Sequence, residues 1–170
     1  AECSLEGNNG AEASVTMEGL PIRMSLEVAG FDAGSAAGSL WENGEFLSGE
    51  KEKAYEYMRE STYVPFGVSF CGPTKEGQVV ELKVAFSFRS RTRAYENRLS
   101  TAQDFSAAKR IAEKSWEKGF GRIQVEGGTQ AQQRTFYTAL YHSLLKPSEA
   151  NNESPFWPWD GPFFFDFSTL

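Results

Sequence analysis

Residues 129–147 read TQAQQRTFYTALYHSLLKP, and the reading of this stretch decides the fold. Thr129 followed by Gln132 is a capping box: the hydroxyl accepts from a backbone N–H at the helix start, and the glutamine side chain returns the favour to the cap. Gln133, Phe136, Tyr137, Leu140, Tyr141 and Leu144 then recur at helical spacing along one side. Pro147 lacks an N–H and cannot continue the helix. The pattern predicts a helix from Thr129 to just before Pro147, with an apolar face that needs a surface to lie on.

Upstream, Asp104 is placed to cap another helix, and Phe105, Ala108, Ile111, Ala112 and Trp116 share its apolar face. Gly119 and Gly121 close it. Arg122-Ile123-Gln124-Val125 reads as a short strand stopped by Gly127-Gly128, and Asn151 to Pro155 reads as a loop.

Before residue 90 the period is two. Ile22, Met24, Leu26 and Val28 alternate with Arg23, Ser25 and Glu27, as in a sheet with one wet face. Val64, Phe66, Val68 and Phe70 repeat the pattern, with Pro65 marking an edge strand or its start. Val80, Leu82, Val84, Phe86 and Phe88 form the longest alternating run. Glycine-rich turns at 29–34 and 71–77 separate these runs, which suggests a β-sandwich. Burying such a row is worth about 1.5–3 kcal/mol per large side chain, so a facing layer is required. Ser48 to Glu60 is charged and fits a short helix or a surface loop. The fold class expected is therefore α+β: an antiparallel sandwich first, helices after it, segregated rather than alternating.

Formal net charge is -6 and the isoelectric point is near 4.9, which argues against nucleic-acid binding through Lys and Arg on phosphates. The basic run Phe88-Arg89-Ser90-Arg91-Thr92-Arg93 is flanked by Glu81 and Glu96 and reads as a solvated turn. No stretch approaches the ~18 apolar residues of a membrane span. Cys3 and Cys71 lack metal-ligand spacing and are expected as two free thiols, with a single bridge as the alternative. The chain starts Ala-Glu-Cys without an initiating Met, so either processing removed the true start or both ends are cuts in a longer polypeptide, and the aromatic end favours the second.

Most catalytic constellations are missing: no P-loop, no dinucleotide-binding glycine motif, no HExxH and no paired CxxC. His142, the only histidine, lies between Leu140 and Leu144 and is expected to pack on its helix rather than act as a base. Glu50, Glu52, Glu56 and Glu60 alternate with Lys51, Lys53 and Arg59, the pattern of a solvated face. The last segment, PFWPWDGPFFFDFSTL over 155–170, is more suggestive. Trp157 and Trp159 can stack on the apolar face of a sugar, while Asp160 and Asp166 can accept from its hydroxyls. Trp159, Asp160 and Asp166 are thus the candidate substrate-binding residues, set against the plainer reading of an aromatic plug between domains.

Two runs carry a family resemblance: Gly119–Thr129 (GFGRIQVEGGT) and Gln133–Pro147 (QRTFYTALYHSLLKP). They resemble the glycoside hydrolase family 92 α-mannosidases, in which a W-x-x-x-L/F-G-R-I-x-V-x-G-G-T stretch precedes an R-x-F-Y-T-x-L-Y-H-x-L-L-x-P helix. Trp116, Arg122, Thr129, Phe136, Tyr137, Tyr141, His142 and Pro147 match without gaps. The motif match covers about residues 85–170; the strands before it fit by architecture. The resemblance implies part of a β-sandwich over 1–100, a linker helix and short strand over 101–128, and the start of an (α/α)6 catalytic barrel over 129–170.

It also implies an inverting, calcium-dependent removal of terminal α-linked mannose, and export to a periplasm or the cell exterior, where such glycans are met. The partners implied are a mannose-containing glycan and the remainder of the chain's own barrel. In the family a Trp-Asp pair follows the F-S-x-L matched by Phe167-Ser168-Thr169-Leu170, and the catalytic carboxylates and calcium ligands come later. No catalytic or metal-binding residue is therefore expected within this chain, which should be inactive alone. Trp157–Pro162 falls outside the matched pattern. Two alternatives remain: a free-standing carbohydrate-binding sandwich, and another sandwich-plus-barrel enzyme such as a disaccharide phosphorylase.

Overall fold

A computed structural model of the chain describes residues 1–17, 20–32, 35–54, 65–101 and 104–165. The chain divides into two units, Ala1–Thr101 and Ala102–Leu170. The first holds β1 (Glu2–Glu6), β2 (Gly10–Met17), β3 (Leu20–Ala29), β4 (Ala37–Glu42), β5 (Glu45–Leu47), β6 (Glu52–Ala54), β7 (Phe66–Cys71), β8 (Glu81–Ser87) and α1 (Arg91–Ser100). The second holds α2 (Phe105–Phe120), α3 (Gln130–Leu144), β9 (Ser148–Glu149) and β10 (Phe164–Phe165). The α+β class is as expected.

In the first unit a five-stranded antiparallel sheet runs β6-β1-β2-β3-β8, beside a three-stranded sheet in the order β5-β4-β7. Register sorts the side chains. Ala11 lies opposite Leu26, Ala13 opposite Met24 and Val15 opposite Ile22, while Leu26 and Met24 face Val84 and Phe86 on β8. The period of two therefore gathers these residues on one face and Glu12, Ser14, Arg23, Ser25, Glu27, Ala85 and Ser87 on the other. The smaller sheet packs over the apolar face near β1, where β4 and β7 both touch that strand. Leu40 is fully buried there. A β-carbon on Gly38 would come within 2.9 Å of Leu5 Cδ2, so a larger residue there would require Leu5 to shift. The sharp reversal between β4 and β5 uses Asn43 and Gly44 at φ 51° and 85°, the left-handed pair of a two-residue hairpin.

The face expected to be wet is not. Ser25 and Ser87 are 2% and 1% exposed, because α1 lies across them. Ser90, within the basic run read as a turn, caps that helix by accepting from Arg93 N at 3.0 Å. Ala94 is fully buried, and the short side chains Ser25, Ala85 and Ser87 on the sheet leave the helix room. Arg98 Nε donates to Ser25 Oγ at 3.0 Å, and its guanidinium pairs with Glu27. Arg91 pairs with Glu2, which also accepts from Ser14 Oγ at 2.7 Å. The arginines belong to a clamp between helix and sheet.

The alternating run on β8 points the other way from the expectation of a core row. Leu82, Val84 and Phe86 are 59%, 37% and 54% exposed, because the smaller sheet covers the apolar face around β1 and leaves it open at β8. Within the charged segment Ser48–Glu60, residues 52–54 form strand β6 on β1, and 55–60 lie outside the described residues. Val64 lies outside them too; Pro65 immediately precedes β7, as its missing N–H predicts.

In the second unit both expected helices form with the expected caps. Asp104 accepts from Ala107 N at 2.7 Å, and Thr129 with Gln132 makes the full capping box. Trp116 sits between Phe120 and Tyr141, at ring distances of 5.4 and 4.9 Å, and joins the two helices. Neither helix has a fully buried residue, however, and Phe105 and Ile111 of the expected stripe are exposed. Residues 122–125, expected as a strand, are turn and irregular chain: among the described residues no neighbouring strand takes up their N–H and C=O groups. Both cysteines are free, Cys3 buried and Cys71 exposed. No helix among the described residues is long and apolar enough to cross a membrane.

Candidate functional site

Pro147 ends α3, and the chain then forms a loop closed at its base by the two-residue ribbon of β9 and β10, with Phe164 opposite Glu149 and Phe165 opposite Ser148. Rungs continue into the loop: Ala150 N donates to Phe163 O at 2.8 Å and Asn152 N to Gly161 O at 2.9 Å. Asn151 Oδ1 accepts from Phe163 N at 3.2 Å. Ser154, 2% exposed, accepts from Phe156 N at 3.2 Å and turns the chain inward. Pro155, Pro158 and Pro162 restrict φ between these ties, so the aromatic tip is held by backbone rather than by bulk packing.

Phe163, 9% exposed, is the anchor of the tip. Trp157 meets it edge to face at 5.8 Å, and Phe156 meets it at 6.3 Å. Trp159 stacks on Trp157 with centroids 6.1 Å apart and planes 22° apart. Aromatic contacts of this kind contribute about 0.5–1.5 kcal/mol each beyond area burial. The series therefore runs outward, from Phe163 through half-buried Trp157 to Trp159, 65% exposed. Asp160 is exposed next to Trp159. The structure thus puts two of the three expected sugar-contact residues side by side at the tip; Asp166 lies outside the described residues. Phe163 and Ser154, which hold the tip, are not recognisable in a run of similar aromatics, because nothing in the order Phe163-Phe164-Phe165 says which ring turns inward.

The other candidates do not form a site. His142 is exposed on α3 with its ring 5.8 Å from Tyr141, and no hydrogen bond joins it to a serine or carboxylate among the described residues. An apolar cleft of about 370 Å³ between the sheets, lined by Cys3, Met24, Leu26 and Phe66, brings no catalytic pair to its wall. The shifted acids belong to the clamp under α1. Hydrogen bonds from Ser14 and Arg91 hold the Glu2 carboxyl below the usual range. Burial, with the Glu6 charge nearby, pushes Glu12 up against the pull of Arg91 and Arg98. Burial likewise raises the Cys3 thiol and makes it unreactive. Among the described residues no group of three or more His, Cys, Asp or Glu side chains is placed to hold a metal ion.

Comparison with known proteins gives three concordant likenesses. Residues 92–168 match the model of the glycosyl hydrolase family 92 catalytic domain. An uncharacterised secreted glycosidase of Arthroderma benhamiae is 31% identical over 120 residues, which is 67% of this chain and 15% of that protein. The family GH92 inverting mannosidase of Bacteroides thetaiotaomicron superposes with a TM-score of 0.74 at 20% identity, over 96% of this chain and 23% of its own. The chain thus spans about a quarter or less of the proteins it matches.

Proposed function

The chain belongs to glycosyl hydrolase family 92, part of whose catalytic domain it carries over residues 92–168, and we propose that the whole protein removes terminal α-linked mannose from glycans. One observation carries this reading. The family match, residues 92–168, spans the segment in which α2 and α3 form with their caps and meet through Trp116 and Tyr141. The likeness to a mannosidase that inverts supports inversion as the stereochemical course. An inverting enzyme needs an acid and a base roughly 6.5–9.5 Å apart, with a water between the base and the anomeric carbon. This chain's part is a scaffold: the sheet unit, a connecting helix, α3 as the first barrel helix, and the loop after it. The acid, the base and a calcium site are assigned to no residue here. A secreted relative supports export as the setting.

The test uses a polypeptide spanning the whole family domain, incubated with α-linked mannobiose and calcium. Release of mannose, with the β-anomer first in the proton spectrum, is expected; the 170-residue chain should release none. Mannose release by the short chain would overturn the scaffold assignment. Sugar phosphate produced only with inorganic phosphate would replace hydrolysis by phosphorolysis.

A further inference from the structure

We propose that the tip of the 150–163 loop is a carbohydrate-stacking platform, in which Trp159 takes the apolar face of one pyranose ring, Asp160 accepts from its hydroxyls, and Trp157 positions Trp159. This deepens the glycosidase reading and rests on it for the class of ligand. The contact lies within residues 92–168, the part of the chain that matches the family domain.

Three features distinguish the tip from core left uncovered. Trp159 is the outer member of a series whose inner member, Phe163, is buried and is also met by exposed Phe156, so the tip already has its own small core. A second ring, Trp157, stacks with Trp159 at 22°, and Trp159 remains 65% exposed. The loop is tied across its width by Ala150 to Phe163 and Asn152 to Gly161, with prolines at 155, 158 and 162. An indole displayed on so rigid a support loses little entropy when a ligand stacks on it. A sugar is the fitting ligand: its axial C–H groups form an apolar face, while its rim of hydroxyls needs acceptors. The Trp159–Asp160 pair offers one of each. A nucleic acid would meet the Asp160 charge and a net charge of -6 instead of cations.

The four indole N–H resonances of the 170-residue chain, from Trp41, Trp116, Trp157 and Trp159, give the readout. Each is assigned by substitution and titrated with α-linked mannotriose, maltotriose and cellotriose. Mannotriose should shift the Trp159 and Trp157 signals and leave those of Trp41 and Trp116 in place. Trp159→Ala should weaken binding about tenfold or more, equivalent to about 1.4 kcal/mol, and Trp159→Phe should restore most of it. Trp157→Phe should keep the stack and the affinity, whereas Trp157→Ala should lose affinity with the far-UV spectrum unchanged. Mannotriose binding that survives Trp159→Ala sinks the platform, and so does a panel in which no sugar moves the Trp159 signal. If maltotriose or cellotriose binds through Trp159 and mannotriose does not, the platform stands and the mannose reading fails. Conversely, if the whole protein hydrolyses mannobiose and mannotriose equally well with and without Trp159→Ala, the mannose reading stands and the platform falls.

Discussion

The sheet unit and the helical unit bury their side chains to different depths. In the first, Leu40, Ala11, Ala94, Ser25 and Ser87 are all at most 2% exposed, and each is held by elements distant in sequence. In the second, α2 and α3 are well capped yet bury no residue completely, and among the described residues depth is reached only in the loop, at Ser154 and Phe163. Caps and periodic stripes are local devices: they start, stop and orient a helix, but contribute only about 1 kcal/mol each. Depth comes from layers meeting. The first unit gets it from β1 lying under the smaller sheet and α1 lying over the polar face. The helices of the second unit meet through the ring pairs Trp116–Tyr141 and Phe120–Tyr137.

The contrast can be broken by mutation, most severely at Leu40. Leu40→Ala should cost about 3 kcal/mol, read as a lower urea midpoint for the strand signal in circular dichroism. A loss under about 1 kcal/mol would mean that the two sheets do not share a core there. Next comes Arg98→Ala, which leaves buried Ser25 and half-exposed Glu27 without the guanidinium. Glu27 is 38% exposed, so solvent discounts the pair; about 2 kcal/mol is expected, with Glu27→Gln costing less and the two changes non-additive in a double-mutant cycle. Additivity would show that α1 is held by Ala94 packing alone.

Thr129→Ala removes one half of the capping box and should cost about 1 kcal/mol, seen as lost helical signal at 222 nm while the urea midpoint of the sheet unit stays put. If that midpoint moves with it, the two units unfold together. The smallest effect belongs to Glu12. Its folded pKa is raised, so its charged form destabilises the fold at neutral pH, and that cost fades as pH falls through the folded value. Glu12→Gln should therefore raise the melting temperature at pH 7 and leave it unchanged in acid. Glu2 has the opposite sign: its pKa is lowered, so its contribution is present above the unfolded value and is lost as pH falls through the folded one. A Glu12→Gln gain that persisted in acid would assign the effect to packing.

Legibility followed range. The α2 and α3 caps, the break at Pro147 and the strand at Leu20–Ala29 all rest on neighbours in sequence, and each is readable from a few residues. The Asn43-Gly44 hairpin carries an equally local signal, which the period-two patterns on either side are too short to reinforce. The α1 helix hid within a run of arginines because its partners Ser25 and Glu27 lie far upstream, and charge spacing says nothing about which surface a guanidinium will meet. At the candidate site, Trp159 and Asp160 stand out by residue type. Phe163 as anchor and Trp157 as backing do not, since several adjacent aromatics are equivalent until one of them turns inward.

The sequence alone determined the class of fold, the boundaries of α2 and α3 and the family, because periodicity, capping chemistry and an ungapped motif are all local or linear properties. Only the tertiary structure decided which face of the sheet is dry and which tryptophan is displayed. The polar face of β3 is buried and the apolar face of β8 open because a helix with arginines can cover serines, while the smaller sheet leaves the β8 edge uncovered. Burial depends on what comes to lie opposite a side chain, and alternation fixes only which side it points to.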